Sequence, residues 1–425
     1  MKPKILLLSD DIRSVSGVGR ISKDIILNTV SEFDWVQISA RLSQPDAGHI
    51  IDVSESVKSI TGIQDANVKL YSNSGYGDEM TLNRVMELES PDVILHITDP
   101  RYWSWLYAMD RKIRTHIPIC YYHVWDNDPA PKFNEGAYKS CDWIGCISNL
   151  TYRIVNEVDT DREDWQTEYI PHGVCPNTYF PMKHTDLENF KNAVCNDKAY
   201  DFIILSNNVN ISRKQLPSIV SAYSKFGDKL KPQDAERILL LLHTDPTFQT
   251  GTDLRTLADA ICPKYDVAFS TTILDDVNLN SLYNIADITI NTASNEGFGL
   301  STLESMMAGT PVIVSKTGGL VDQTILSSGD TGRWCSVIEP NNRNLTGSQQ
   351  VPYIYADLCS EVDIATAMKY WYDMDGEERT SRGISGREYA QENLNVKLMC
   401  DRVANGIKTT IDNFVPHERI SLIKI

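Results

Sequence analysis

Two carboxylates with seven residues between them, Glu296 and Glu304, frame the stretch of this chain whose residue types are best suited to chemistry. The run is Asn295-Glu296-Gly297-Phe298-Gly299-Leu300-Ser301-Thr302-Leu303-Glu304, followed by Met307-Ala308-Gly309-Thr310-Pro311-Val312-Ile313-Val314-Ser315. Gly297 and Gly299 loosen the chain ahead of a short helix, whose first N–H groups lack intrahelical partners and so favour a phosphate or a polarised hydroxyl. Glu296 precedes that helix and Glu304 falls about two turns along it. Gly309-Thr310-Pro311 stops the helix, and Val312-Ile313-Val314 reads as a buried strand. Three further groups have chemistry in their spacing. Arg213 and Lys214, in Asn210-Ile211-Ser212-Arg213-Lys214-Gln215-Leu216-Pro217, follow the apolar run Phe202–Leu205. Cations at a helix start oppose its dipole unless something anionic lies nearby. Gly17 and Gly19 follow the apolar run Ile5–Leu8 and open a helix, where backbone can approach a diphosphate closely. His123 follows the strand Ile119–Tyr122, and Asp99 ends Ile97-Thr98-Asp99. Ligands of parallel sheets bind at such carboxyl-end loops. Each group also has a plainer structural alternative: solvated glutamates, helix-start cations, a packing turn, a core histidine.

The elements that must position these residues alternate. In the first half, strands are expected at Ile5–Leu8, Trp35–Ile38, Val93–Ile97, Ile117–Tyr122 and Trp143–Ile147, with a helix from the Gly17 loop to about Val30. Turn residues cluster from Ile170-Pro171-His172-Gly173-Val174 to Phe180-Pro181, the expected linker. A second series starts at Phe202–Leu205 and includes Ile238–Leu242, Ile288–Ile290 and Val312–Val314. Residues 364–414 read as helical. Strands alternating with helices imply doubly wound parallel sheets, two of them here. His96, in mid-strand, and His172, in the linker, read as structural.

At 425 residues the chain has room for two or three domains. Its apolar fraction of 42% and charged fraction of 23% are those of an ordinary globular protein. No apolar run approaches the roughly 18 residues of a membrane helix, and Ile5–Leu8 is too short for a signal-peptide core. Nine scattered cysteines without a C-x-x-C pair suit a reduced cytoplasmic setting without structural zinc. Sequons at Asn149, Asn210 and Asn344 carry no weight in that setting. A net charge of −17 argues against broad attraction to nucleic acid or anionic membrane. Residues 101–139 differ: six basic side chains (Arg101, Arg111, Lys112, Arg114, Lys132, Lys139) face four acidic ones (Asp110, Asp126, Asp128, Glu135), a balance of +2 amid aromatics.

The Glu296–Glu304 segment resembles the E-x7-E signature of retaining, glycogen-synthase-like glycosyltransferases, in particular glycosyltransferase family 4. Leu282-Tyr283-Asn284-Ile285-Ala286-Asp287 and Gly318-Gly319-Leu320 match that family too. The resemblance implies a GT-B fold, in which two Rossmann-like α/β domains face each other across a cleft holding the active site. It divides the chain into an acceptor-side domain at 1–172, a linker at 173–181, a nucleotide-sugar domain at 182–395, and a terminal helix and tail at 396–425 that cross back to the first domain. It implies transfer of a sugar from a nucleotide sugar, a UDP sugar by expectation, with retention of anomeric configuration and without a metal or other cofactor. Glu296 and the N–H groups of Gly297, Phe298, Gly299 and Leu300 would position the sugar. Glu304 would hold the ribose, Arg213, Lys214, Gly17 and Gly19 the diphosphate, and His123 the sugar or a leaving-group oxygen. Asn207-Asn208 departs from the family, which often has an arginine there. Asp126-Asn127-Asp128 has the D-x-D form of metal-dependent transferases but lies away from the diphosphate residues; it reads as loop or acceptor chemistry.

The opening Leu6-Leu7-Leu8-Ser9-Asp10-Asp11, with Ser16–Gly19 and Phe33–Gln37, is similar to glycosyltransferases of T-even-like tailed phages. That likeness implies a hydroxymethylated DNA base as acceptor, in the host cytoplasm. By position, Asp99 at a strand tip and Trp125 and Asp126 in the loop after His123 are the acceptor-side candidates, and the aromatic segment could stack an extruded base. A saccharide or lipid-linked acceptor stays open, since sugars also stack on aromatics. So do a GT-B nucleotide-sugar epimerase and a noncatalytic sugar-nucleotide binder.

Overall fold

A computed structural model describes residues 2–40, 48–73 and 75–418. The chain divides into two compact units, residues 1–172 with 396–425 and residues 173–395.

Unit 1 is built on eight strands among the described residues: β1 (Lys4–Asp10), β2 (Asp34–Ala40), β3 (Ile50–Asp52), β4 (Val68–Ser72), β5 (Val93–Thr98), β6 (Ile119–His123), β7 (Trp143–Cys146) and β8 (Thr167–Tyr169). Their order is β3-β4-β2-β1-β5-β6-β7-β8, parallel except for β3 against β4. Ile5 to Leu8 are all fully buried, as a strand covered on both faces must be. Helix Gly17–Thr29 buries Ile21, Ile25 and Ile26. The final helix, Val396–Asn413, buries Met399, Val403 and Ile407 within the same unit. Gly406 is required there, because a Cβ would sit 2.1 Å from the Trp143 ring. The break that starts this helix, and another at Met374–Asp375, divide the helical stretch expected at 364–414 into Glu361–Asp373, Gly376–Asn393 and Val396–Asn413.

Unit 2 contains β9 (Phe202–Asn207), β10 (Ile238–His243), β11 (Asp266–Ser270), β12 (Ile288–Asn291), β13 (Val312–Ser315) and β14 (Cys335–Ile338), all parallel, in the order β11-β10-β9-β12-β13-β14. Phe202, Ile204, Leu240, Leu242, Ile288 and Ile290 pack with Ile219, Tyr223, Phe226 and Trp371 as its core. A separate antiparallel hairpin, β15 (Asn342–Thr346) and β16 (Ile354–Leu358), follows β14 and has no counterpart in the sequence expectations.

Strand order reverses between β1 and β5 in unit 1 and between β9 and β12 in unit 2. Ligands of open α/β sheets bind outside the carboxyl ends of the strands at such a reversal.

Candidate active site

At the reversal in unit 2, β9 runs through Asn207 to the single 3-10 turn Ser212–Lys214, and Gln215 takes a left-handed φ of +52° before helix Leu216–Gly227. That kink delivers two cations to one carboxylate. Lys214 Nζ is ion-paired to Glu296, and Arg213 Nη1 lies 3.7 Å from Glu296 Oε1 while donating to Asn295 O at 2.9 Å. Glu296 is buried. Burial pushes its carboxyl up, but Lys214 and Arg213 outweigh that and hold it below the ordinary range. The expected cation pair and first glutamate therefore form one cluster. Asn291, ending β12, donates to Thr302 Oγ1 at 3.2 Å and stands 3.4 Å from Glu296 Oε2.

The loop beyond Glu296 is held by glycines and by one amide. Gly299 has φ +92°, and a Cβ there would sit 2.6 Å from Leu320 Cδ2. Gly319 packs against Gly297 and Phe298 so closely that a Cβ would sit 2.4 Å from Gly297 O, and its N–H donates to Glu296 O at 3.0 Å. Gln323 Nε2 donates to Phe298 O at 2.5 Å. Helix Leu300–Met307 follows with no side-chain cap. Thr302 and Leu303 N–H bond back to Gly299 O at 3.0 and 3.2 Å. The N–H groups of Leu300 and Ser301 thus stand at a positive helix end beside Glu296. Glu304, on the buried face, accepts from Tyr283 Oη at 2.7 Å, and Asn207 Nδ2 donates to that same hydroxyl at 2.7 Å. Asn207, one of the two asparagines that depart from the resembled family, supports the partner of Glu304. Tyr283 was visible in sequence within the Leu282–Asp287 motif; Asn291 could have been found as the polar end of β12.

At the reversal in unit 1 the sequence expectations need correction. Gly17 and Gly19 lie in the first turn of the helix rather than in a loop ahead of it, and Ser16 caps Gly19 N–H at 3.0 Å. A Cβ on Gly19 would fall 2.6 Å from Asp11 O, so this glycine serves close packing. Ser16 Oγ donates to Asp10 at 2.6 Å, which places a carboxylate beside the glycines expected to meet the diphosphate. His123 is the last residue of β6 rather than the residue after it, because it still pairs with Thr98 of β5 and Cys146 of β7. It is fully buried. Tyr121 Oη lies 2.8 Å from its Nδ1 and donates to Thr98 O at 2.9 Å; Tyr138 Oη lies 2.8 Å from Nε2. Tyr121 has one proton, spent on Thr98, so Nδ1 must donate to it and Nε2 accepts from Tyr138. Burial pushes the imidazole down to about 3, which keeps it neutral.

Asp99 caps the turn Pro100–Trp103 and binds Arg101 through both oxygens, at 2.7 and 2.6 Å. Thr98 before it has φ +107°, costly for a β-branched residue. Trp125 is buried, with its indole N–H on Asn127 O at 2.8 Å, so its ring is not free to take a base. Trp103, Tyr121 and Tyr122 are also core. What remains open is a stack of Tyr76 and Tyr102, centroids 4.2 Å apart and planes 5° off parallel, with Tyr102 43% exposed. Tyr76 Oη donates to Asp10 at 3.2 Å. Tyr76 lies in an irregular stretch, and its contact with Asp10 spans 66 residues, so sequence pattern carried no signal for it.

The cations of the expected basic segment are largely paired with neighbouring carboxylates, most of them outside it. Arg101 pairs with Asp99, Arg114 with Asp142, Lys139 with Glu135, and Lys112 stands 3.9 Å from Glu79. Asp126 lies close enough to Arg101 to favour its charge, and Asp128 of the D-x-D triplet binds Arg153 at 2.6 Å. Among the described residues no group of three His, Cys, Asp or Glu is placed to hold a metal ion, and no helix is long and apolar enough to cross a membrane.

Solved structures show the fold. The sucrose-phosphate synthase of Thermosynechococcus elongatus is similar over 97% of this chain and 100% of its own, at 16% identity and a TM-score of 0.70. Anabaena HepE in complex with UDP-glucose is similar over 96% and 99%, at 14% identity and 0.69. The Escherichia coli trehalose-6-phosphate structure bound with UDP-2-fluoro glucose is similar over 97% and 100%, at 15% identity and 0.69. The fold is GT-B, two Rossmann-like units. Within it, residues 253–342, which include Glu296 and Glu304, match the family described as Glycosyl transferases group 1. An uncharacterized glycosyltransferase of Methanocaldococcus jannaschii is 34% identical over 93 residues, which is 21% of this chain and 23% of that relative.

Proposed function

We propose that the protein is a retaining glycosyltransferase that moves a sugar from a nucleotide sugar, a UDP sugar by preference, to an acceptor hydroxyl. The observation that carries this reading is the cluster of Lys214 and Arg213 on buried Glu296 beside the uncapped end of helix Leu300–Met307. Cations and oriented N–H groups fixed in place before reaction are suited to a diphosphate that gains charge as it leaves. Glu296 orients the sugar, and Glu304, held by Tyr283, takes the ribose hydroxyls. His123, neutral and bound at both nitrogens, serves through position rather than as a proton donor. Retention rests on the resemblance of the Glu296–Glu304 segment. The UDP preference draws support from the UDP-sugar complexes among the similar structures.

For the acceptor, the carboxyl ends of β1 and β5 offer paired arginines, carboxylates and a tyrosine stack. This suits a neutral polyhydroxylated ring, a free or lipid-linked saccharide, better than the hydroxymethylated DNA base that the phage resemblance implies. A DNA acceptor needs cations for its phosphates, and those of the 101–139 segment are mostly neutralised by neighbours.

The test is nucleotide release from a panel of UDP and GDP sugars by the wild type and by Glu296→Gln. Release from one donor class, lost in the variant, supports the reading. Conversion of the donor without release indicates an epimerase, and tight binding without either indicates a binder.

A further inference from the structure

The hairpin β15–β16 lies almost wholly past the segment that matches the glycosyltransferase family, yet it is tied to the residues that flank Glu296. Asp357 N–H donates to Ser294 O at 2.9 Å, and Asn295 Nδ2 donates to Tyr355 O. The Asp357 carboxylate is fully buried. It accepts from Thr317 Oγ1 at 2.8 Å and binds Arg343, its cross-strand partner, at 2.5 and 3.2 Å. Thr317 belongs to the turn whose Gly319 N–H holds Glu296 O, and its own carbonyl accepts from Leu320 N–H at 3.2 Å. One residue of β16 therefore grips both walls of the Gly297–Gly299 wedge: Ser294 through its backbone and Thr317 through its carboxylate. A buried carboxylate is costly unless paired and fully hydrogen-bonded. A surface hairpin needs none for its own stability, since β15 is exposed along its whole length.

We infer that Asp357 is a positioning residue for donor-sugar recognition: with Arg343 and Thr317 it sets the loop that carries Glu296 against the sugar. The hairpin tip from Gly347 to Pro352 takes no part. The inference rests on the donor-site reading above. On the donor-site reading Glu296 orients the sugar while Lys214 and Arg213 hold the diphosphate, so weakening the grip on the Glu296 loop changes recognition of the nucleotide sugar more than that of the free nucleoside diphosphate.

The experiment measures KM and kcat for the nucleotide sugar, and inhibition by the free nucleoside diphosphate, in Thr317→Val, Thr317→Ser and Arg343→Ala. Thr317→Val keeps the side-chain shape and removes the hydroxyl. It is expected to raise donor KM about tenfold, with inhibition by the diphosphate moving less than about twofold. Thr317→Ser, which restores the donor, should recover most of the loss. Arg343→Ala, at the hairpin surface, repeats the effect should the threonine variant fold poorly. Equal weakening of the sugar nucleotide and the free diphosphate, failure of serine to rescue, or an unchanged donor KM in both Thr317→Val and Arg343→Ala overturns the inference. If Glu296→Gln abolishes transfer while these variants do nothing, the hairpin role alone falls. If Glu296→Gln is fully active, the donor reading falls and takes the inference with it.

Discussion

Two sheets whose strand order reverses after their first strand present opposite chemistry at that reversal. Where strand order reverses in unit 2, between β9 and β12, Lys214 and Arg213 meet buried Glu296, and a helix end is left uncapped. Where it reverses in unit 1, between β1 and β5, Asp10, Asp11 and Asp99 stand at the strand ends; the two arginines among them, Arg13 and Arg101, are each spent on an aspartate. The helix start there is closed by Ser16. The difference teaches that the reversal point supplies a location and the loops supply its ligand. Positive charge and open N–H groups suit a diphosphate; paired charge and stacked tyrosines suit an uncharged ring with hydroxyls.

The largest effect should come from breaking the unit 2 cluster. Lys214→Ala removes a fixed cation from the leaving group and should lower kcat by about 10²–10³-fold. It also leaves Glu296 buried with less compensation, at about 3–5 kcal/mol of stability, so melting temperature must be followed beside rate. A smaller effect is expected in unit 1. Tyr102→Ala, which removes the exposed member of the stack, should raise the KM for a saccharide acceptor about three- to tenfold. Acceptor-independent donor hydrolysis should be unchanged. If both variants act on donor and acceptor alike, the contrast between the two reversal points is lost.

A separate effect, on stability rather than on turnover, concerns acid. His96, His123 and His172 are buried, and burial lowers all three, His123 and His172 to about 3. Below an unfolded value of about 6.5 the unfolded chain binds protons that the folded chain refuses, so stability falls as pH drops from 6.5 towards 3. The limiting slope is about 1.4 kcal/mol per pH unit for each histidine. Glu296, held low, adds in the same direction at lower pH, where its carboxylate is protonated first in the unfolded chain. Melting temperature should therefore decline from pH 7 to pH 5, and His172→Asn should flatten the decline. A flat profile in the wild type would contradict the neutral burial of these rings.

The sequence carried the parallel strands well, because Ile5–Leu8 and Ile238–Leu242 are continuous apolar runs that fit no exposed element. It carried Glu296, Glu304, Arg213 and Lys214 because short spacing and glycine punctuation survive in one dimension. It did not carry the pairing among them, since Lys214 meets Glu296 across 82 residues. Short or half-exposed strands such as β3, β8 and the hairpin gave too little periodicity to stand out. Aromatic content in the 101–125 segment was visible, but its division into core and surface was not: Trp103 and Trp125 face inward while Tyr102 faces out. Net charge over residues 101–139 misled for the same reason, because it counts cations without showing which carboxylates they touch.

The central claim is that unit 2 takes a nucleotide sugar and unit 1 an uncharged polyol. It is tested most directly by nucleotide release from the preferred UDP sugar with a panel of saccharide acceptors, and separately with hydroxymethylcytosine-containing DNA. The account predicts release stimulated by a saccharide, insensitive to salt, and matched by a mass gain on that saccharide. Stimulation by the DNA instead, falling steeply with salt and with the mass gain on the base, would contradict it.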